Sequence, residues 1–319
     1  MRRSAEHFDA ARGFSATQKS SSANVKAQAL DEQTLSLHPV DSMVDTVNCS
    51  IHGDGTATYV CHHLTGDKVG LGFNSDTPSD DSPDPDAWCD DCEVIRAAHG
   101  GWNEQSESLT KFALLCPGCY KKARHQNTKT DSTLNELAGV RWKCGSCEEW
   151  HTGPVFDISY DHPDYWSDEN VESFRREQKA GAPVRNLNGT FLDEDFCAVN
   201  GEHYFMRGRI ELPILGTREK FCWGVWGSLS RPSMEAAVAY YADPENVPLP
   251  SPLFSWLNNR IKFYPEQNSI KMYAHLQPGN RRPKFEIEPT NQPISRDFHD
   301  GIPPSRVKEI MKFSLPQLF

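Results

Sequence analysis

The sequence predicts an α+β protein in which an antiparallel sheet with flanking helices follows a small zinc-knuckle module. Cysteine and histidine pairs at metal-ligand spacing crowd the first half of the 319-residue chain. Strand-like apolar runs alternate with short helical segments in the second half. The mean hydropathy of −0.63 and the hydrophobic content of 37% are low for one fully packed domain, so we also expect some disordered sequence.

These contrasts divide the chain into four predicted segments. Residues 1–44 are polar and poor in aromatic side chains, which is typical of a disordered tail. Residues 45–125 hold most of the cysteine and histidine pairs and form the predicted zinc-binding module. Residues 126–138 are predicted to be a linker, and residues 139–319 are predicted to form the α+β domain.

The second half carries the signals for its helices and strands in order. Ser167 is predicted to cap a helix that ends near Gly181, and Asn200 with Gly201 is predicted to turn a β-hairpin. Pro232 belongs in the first turn of a helix. The other predicted elements are a strand in KFCWGVWGSLS, a hairpin in SIKMYAHLQPGNRRPKFEIEPT and a helix in PPSRVKEIMKF.

The aromatic strand FCWGVWGSLS is predicted to pack both of its faces in the core. Alternation places Phe221 and Trp223 on one face and Trp226 on the other. Buried aromatic residues usually serve packing, so we favour a core strand over a binding platform. Gly224 and Gly227 leave room for a neighbouring backbone or a partner.

Two C-x-x-C pairs in the first half give the strongest metal signal. Zinc prefers four ligands in a tetrahedron, and each pair can offer two thiolates to one ion. The residues Pro117-Gly118 favour a tight turn inside the second pair. We therefore expect one structural zinc ion bound by Cys89, Cys92, Cys116 and Cys119.

Mixed cysteine and histidine pairs lie upstream and predict a second zinc ion. A turn at Gly53-Asp54-Gly55 would fold this stretch into a hairpin and bring its two ends together. His62 is an alternative to His63 as a ligand. The ligand pairs could also interleave between the two ions, which the sequence leaves open. The predicted set is Cys49, His52, Cys61 and His63.

A third group, in WKCGSCEEWHTGP, consists of Cys144, Cys147 and His151 and lacks one ligand. A redox pair would require a following helix, and Gly153-Pro154 breaks one. A nucleobase deaminase would require a later C-x-x-C pair, which is missing. A zinc knuckle is the favoured interpretation, and two packed thiols beside a surface His151 remain the alternative. The spacing leaves the fourth ligand open among Cys197, His162 and His203.

The segments WKCGSCEEWHTGP, FCAVNGEHYFMRGRIELPI, FCWGVWGSLS, LFSWLNNRIKFYP and GIPPSRVKEIM resemble the bacterial domain-of-unknown-function family 2199 over roughly residues 140–316. The resemblance implies a bacterial origin, a compact α+β domain and no assigned reaction. It also implies that Cys197 is the fourth ligand of the third group. Cys222 departs from the family pattern, which has glycine there, so we expect a packed thiol. The N-terminal part resembles a small cysteine-rich zinc-binding module.

Charge and composition indicate the cellular compartment and the class of partner. A net charge of −11 disfavours nucleic acid and suits a protein partner with a basic surface. No apolar run is long enough for a membrane helix, and no secretion signal opens the chain. Ten cysteines in such a chain indicate a cytoplasmic protein with two to three structural zinc ions.

Three functional hypotheses follow. We favour a non-enzymatic, zinc-stabilised binding or adaptor protein, because no phosphate loop, nucleophile elbow or HExxH motif is present. The first alternative is an immunity-type inhibitor of a basic toxin, which the negative charge would suit. The second is a zinc-dependent enzyme with an open site at Cys144, Cys147 and His151.

Overall fold

The structure is a computed structural model that describes residues 46–145, 147–177, 185–279 and 281–319. These residues belong to a single compact unit by their contacts. The predicted tail at residues 1–44 and the predicted end of a helix at Gly181 lie outside the described residues.

The cysteine-rich part is built on short strands because many of its residues serve turns and ligand pairs. A two-stranded hairpin, β1–β2, precedes a four-stranded sheet in the order β4-β5-β3-β6. The elements are β1 (Thr46–Cys49), β2 (Gly53–Thr56), β3 (Thr58–Cys61), β4 (Asn74–Ser75), β5 (Ala87–Trp88), α1 (Asp90–Ala98), α2 (Glu104–Ser108), β6 (Phe112–Leu115) and α3 (Pro117–Asn127).

The rest of the chain forms a large, mostly antiparallel sheet with helices packed against it. Its elements are α4 (Thr133–Leu137), β7 (Arg141–Lys143), β8 (Trp150–Thr152), β9 (Asp157–Ser159), α5 (Asp168–Glu177), β10 (Phe191–Leu192), β11 (Phe196–Val199), β12 (His203–Pro213), β13 (Lys220–Leu229), α6 (Arg231–Ala242), β14 (Leu253–Leu257), β15 (Lys271–His275), β16 (Lys284–Ile287), α7 (Pro293–Asp300) and α8 (Pro304–Ser314). The predicted α+β class is confirmed.

The large sheet closes on itself. Its strand order is β10-β11-β12-β16-β15-β14-β13-β9, and an additional pairing joins β12 to β13 along their whole length. The five strands from β12 to β16 therefore form a closed ring, while β11 and β9 extend the sheet beyond it. Closure satisfies the backbone hydrogen bonds that strand edges would otherwise leave exposed.

Local signals in the sequence predicted several elements correctly. The Ser167 hydroxyl accepts a hydrogen bond from the Asn170 amide, as expected at the start of α5. Asn200 and Gly201 have φ values of 54° and 67° between β11 and β12, as a tight hairpin turn requires. Pro232 lies in the first turn of α6.

The aromatic strand β13 is a core strand on both faces, as predicted. Phe221 and Trp223 contact each other in the main core with ring centroids 5.1 Å apart, whereas Trp226 belongs to a smaller cluster on the opposite face. The room beside the glycines is filled by neighbouring strands. A Cβ atom at Gly224 would overlap Ser159 of β9, and one at Gly227 would lie 2.8 Å from the Phe285 ring.

The predicted linker, residues 126–138, contains helix α4. Leu137 is buried in the main core because α4 packs against α8. The assignment of domain boundaries stays a prediction. Among the described residues, no helix is long and apolar enough to cross a membrane.

Candidate metal centres

Three groups of cysteine and histidine side chains converge in the structure, and within each group the ligand atoms lie within 4.8 Å of one another. We call them the outer group, the inner group and the hairpin trio. The outer group is Cys49, His52, Cys116 and Cys119; the inner group is Cys61, His63, Cys89 and Cys92; the hairpin trio is Cys144, Cys147 and His151.

The outer and inner groups are nested, which corrects the favoured pairing. The first ligand pair along the chain, Cys49 and His52, joins the fourth pair, Cys116 and Cys119. The second pair therefore joins the third. Cys89 and Cys92 therefore do not share a group with Cys116 and Cys119. The interleaving that the sequence left open is what the structure shows. Pair spacing alone could not decide it, because strand pairing determines which pairs meet.

Strand pairing assembles the inner group. β3 and β5 run parallel with Val60 beside Ala87, so Cys61 and Cys89 emerge at the same edge of the sheet. The Cys89 amide donates a hydrogen bond to the Cys61 sulfur at 3.2 Å. His63, rather than His62, joins the group from the turn that follows β3.

The outer group forms at the other end of the same sheet. β3 and β6 are antiparallel, so Cys116 after β6 lies near the start of β3 and the β1–β2 hairpin. Cys49 pairs with Gly53 in that hairpin, so its turn contains His52. The predicted turn at Gly53-Asp54-Gly55 is wrong, because these residues form strand β2.

Both C-x-x-C pairs begin a helix. Cys89 is the N-cap of α1 and Cys116 is the N-cap of α3. The partial positive charge at a helix N-terminus favours thiolates. Gly118 is required for close approach rather than for a special backbone angle, because a Cβ atom there would lie 2.8 Å from the His52 ring.

The separations within the outer group match the edges of a metal tetrahedron. Sulfur at about 2.3 Å and nitrogen at about 2.0–2.1 Å from a central zinc ion would be about 3.8 Å apart for two sulfurs and about 3.5 Å for sulfur and nitrogen. The Cys49 and Cys119 sulfurs are 3.8 Å apart. The His52 Nδ1 atom lies 3.4 Å from the Cys116 sulfur and 3.6 Å from each of the other two.

In the inner group two nitrogen–sulfur separations match the same tetrahedron, and the thiols are more deeply buried. The His63 Nδ1 atom lies 3.3 Å from the Cys92 sulfur and 3.6 Å from the Cys89 sulfur. Cys61, Cys89 and Cys92 are at most 1% exposed, and His63 covers them from the solvent side. Three thiols and one imidazole at tetrahedral distances can hold a metal ion without a further ligand.

Electrostatics indicate what a bound cation would change at these thiols. Burial and the neighbouring thiols raise the pKa of Cys119 to about 12. The same two causes raise the pKa of Cys92. Cys49 differs, because the backbone amides of Ile51 and His52 lower its pKa to about 6. A bound dication removes the mutual repulsion of such thiolates and deprotonates coordinating thiols outright.

The hairpin trio is a three-ligand group at the surface. β7 and β8 pair with Trp142 opposite His151, and these two rings stack with centroids 4.7 Å apart. The Cys147 sulfur lies 3.1 Å from His151 Nε2. Cys147 and His151 are exposed. Within the described residues no fourth cysteine, histidine or carboxylate joins the trio.

The structure does not place Cys197 beside the hairpin trio, which corrects the expected ligand set. Cys197 pairs with Phe205 across β11 and β12 and is fully buried in the small apolar cluster that contains Trp226. The other two candidates also lie elsewhere. His162 contacts Asp168 at 2.8 Å, and His203 packs against Tyr165.

Fold and sites together define an α+β protein that carries Cys/His groups able to hold metal ions. The chain belongs to the family described as uncharacterized proteins conserved in bacteria, DUF2199, whose model matches residues 143–302, or 160 of the 319 residues. The predicted resemblance of the second half is thereby confirmed. The match includes the hairpin trio but not the outer and inner groups. No curated protein and no solved structure matches the chain.

Proposed function

We propose that this chain is a non-enzymatic, zinc-stabilised protein that binds a protein partner. The observation that carries the proposal is the completeness of the outer and inner groups. Each brings four ligand atoms within 4.8 Å of one another, so no position is left for water or substrate on an ion that all four bind. Catalytic zinc requires an open position, whereas structural zinc does not.

The donor atoms favour zinc over other metals. Three thiolates with one imidazole form a soft, tetrahedral ligand set, and this set is typical of structural zinc. Calcium and magnesium prefer oxygen ligands, which neither group supplies.

Surface features support the binding role. Phe254 and Trp256 on β14 and Tyr273 on β15 form an aromatic patch on one face of the closed ring, each 38–43% exposed. Aromatic side chains are enriched at protein interfaces. The net charge of −11 favours a partner with a basic surface, because complementary charge accelerates association. We also propose a cytoplasmic location, because cysteines that lie in metal-ligand groups fit a reducing compartment.

The nested arrangement predicts which ligand substitutions act on the same ion. Cys61→Ala combined with Cys92→Ala should remove one zinc ion, because both residues belong to the inner group. Cys92→Ala combined with Cys116→Ala should remove two, because these residues belong to different groups. Native mass spectrometry of protein purified without chelator measures this directly, and the unsubstituted chain should contain two to three zinc ions.

Cys222→Ala is the matched control, because Cys222 is a buried thiol whose sulfur accepts a hydrogen bond from Arg209 and belongs to none of the three groups. It should leave the zinc content unchanged. An unsubstituted protein with less than one zinc ion per chain would refute the proposal. If the Cys61/Cys92 pair removed two ions and the Cys92/Cys116 pair removed one, the pairing by sequence order would be correct.

The exposed trio supports a second candidate, a zinc-dependent enzyme with an open site at Cys144, Cys147 and His151. Two cysteines and one histidine leave a fourth position for water, as in some catalytic zinc sites. In cobalt-substituted protein, added azide should change the visible spectrum of this site alone. His151→Ala should abolish the response, while His162→Ala, outside the trio, should preserve it. A visible spectrum that does not change on addition of azide would exclude the open site.

A further inference from the structure

A gap in the large sheet opens beside β12. β11 pairs antiparallel with the first half of this strand, and β16 meets its second half in parallel on the same edge. The Arg207 amide donates to the Asp195 carbonyl at 2.8 Å, and the Arg209 amide donates to the Pro283 carbonyl at 2.9 Å. β11 and β16 diverge between these two bonds, and a cavity of about 210 Å³ lies there.

Four arginines line this cavity. They come from separate parts of the chain: Arg185 precedes β10, Arg207 lies on β12, and Arg281 and Arg282 precede β16. Two of them already have carboxylate partners, since Arg185 contacts Asp193 at 2.6 Å and Arg282 contacts Asp195 at 2.9 Å. The remaining two arginines, Arg207 and Arg281, take no part in these two ion pairs.

Arg207 is the exceptional member. Its side chain is only 12% exposed, and its Nε atom is buried without a hydrogen-bond partner. The nearest carboxylate, Asp161, lies 3.7 Å away, is 76% exposed and is too distant for a hydrogen bond. Burial and the positive charge of Arg282 lower the pKa of Arg207. The buried Nε atom and the distant carboxylate leave the charge of this guanidinium incompletely compensated, so an anion bound in the cavity would add a favourable interaction.

Aromatic side chains also line the cavity. Phe196 and Tyr241 lie with ring centroids 6.1 Å apart, and the Arg185 guanidinium stacks over Phe196 at 4.6 Å. These rings would accommodate the carbon portion of a ligand, while the arginines would bind its charged end. Guanidinium groups suit carboxylate and phosphate because they donate paired, charge-assisted hydrogen bonds.

We propose that this cavity binds a small organic oxyanion. Arg207 would be the principal residue that binds the charged group, and Phe196 and Tyr241 would contact the carbon portion. The shared chemistry is a phosphate or carboxylate group on a small apolar body. The inference goes beyond the proposed function and does not depend on the metal groups, none of whose residues line the cavity.

The test is isothermal titration calorimetry of the full, zinc-loaded chain with three probes of similar shape. Phenyl phosphate and benzoate carry the two oxyanions on the same ring, and benzamide is the neutral analogue. We expect saturable binding of at least one oxyanion and none of benzamide. The preferred oxyanion identifies the ligand as a phosphate or a carboxylate. Arg207→Gln should weaken that binding at least about tenfold, because it removes a charge-assisted hydrogen bond.

Arg260→Gln is the matched control, since Arg260 is exposed and lies outside the cavity, and it should leave the affinity unchanged. Arg281→Gln, at an exposed position, provides a second test if Arg207→Gln does not fold, and it should also weaken binding. The proposal would be overturned if neither oxyanion showed saturable binding up to about 10 mM. A dissociation constant of that size corresponds to a binding free energy of only about 3 kcal/mol. Equal binding by the unsubstituted chain and Arg207→Gln would also overturn it. Metal content measured in each sample separates this failure from a loss of zinc.

Discussion

Removing metal from the outer and inner groups is expected to unfold the cysteine-rich part of the chain while the large sheet stays folded. The reason is the difference between the two cores. The cysteine-rich part has nine buried apolar residues in its cluster, and three of these are the ligands Cys61, Cys89 and Cys92. Among the described residues, the main core has 31 buried residues, which come from the large sheet and the helices packed against it.

The magnitude follows from what structural zinc contributes. In zinc-finger peptides, binding supplies about 10–16 kcal/mol at neutral pH, and this energy is folding energy. A whole domain is stable by only about 5–15 kcal/mol. Losing both ions should therefore exceed the stability that a small core can provide alone.

Hydrogen exchange with and without a strong chelator measures this effect. Amides of β3, β6, α1 and α3 should lose protection, and added zinc should restore it. Amides of β12 and β13 in the same sample are the internal control and should remain protected. Retained protection in the cysteine-rich part after complete loss of metal would show that the groups do not hold this fold together.

Phe285→Ala is expected to destabilise the protein by about 3–5 kcal/mol, the range for truncating a buried phenylalanine. Phe285 lies on β16, is 1% exposed and fills the interior of the closed ring. Its ring lies directly over two residues without side chains. A Cβ atom at Gly208 of β12 would be 2.5 Å from the ring, and one at Gly227 of β13 would be 2.8 Å from it.

The position of the glycines is why the loss should fall at the upper end of that range. A neighbouring side chain can often move into a new cavity, but Gly208 and Gly227 have none to move. Phe254→Ala is the matched control, because Phe254 lies on β14 of the same closed ring and is 43% exposed. It should cost about 1 kcal/mol or less.

Urea denaturation followed by tryptophan fluorescence gives both free energies of unfolding. Trp223 and Trp226 report on the sheet because both are buried within it. Similar losses for Phe285→Ala and Phe254→Ala would contradict the assignment of Phe285 as the central residue of the ring.

Several features could be predicted because their signals are local. The Asn200-Gly201 turn requires positive φ angles, which these residue types adopt most readily. Pro232 has no amide hydrogen to lose in a first helical turn. All four ligand pairs of the first half were recognised as pairs, because C-x-x-C, C-x-x-H and C-x-H spacings bring two ligands together within a few residues.

Other features depend on contacts between distant residues. Cys197 resembled a ligand by its place in the family pattern, yet its position on β11 directs it into an apolar cluster. Arg207 carries no sequence signal of a binding site, since a lone arginine in a strand usually faces solvent. Only the tertiary structure shows that the Arg207 side chain is 12% exposed and lines the cavity between β11 and β16.

The sequence by itself determined the class of fold, the family of the second half and the residues that form each ligand pair. These properties depend on residue spacing and on backbone preferences within a few residues. Only the tertiary structure decided that Cys49 and His52 join Cys116 and Cys119, and that the trio stands without Cys197. The pairing of β3 with β5 and β6 decides which ligand pairs meet, and such long-range contacts have no signal in local spacing.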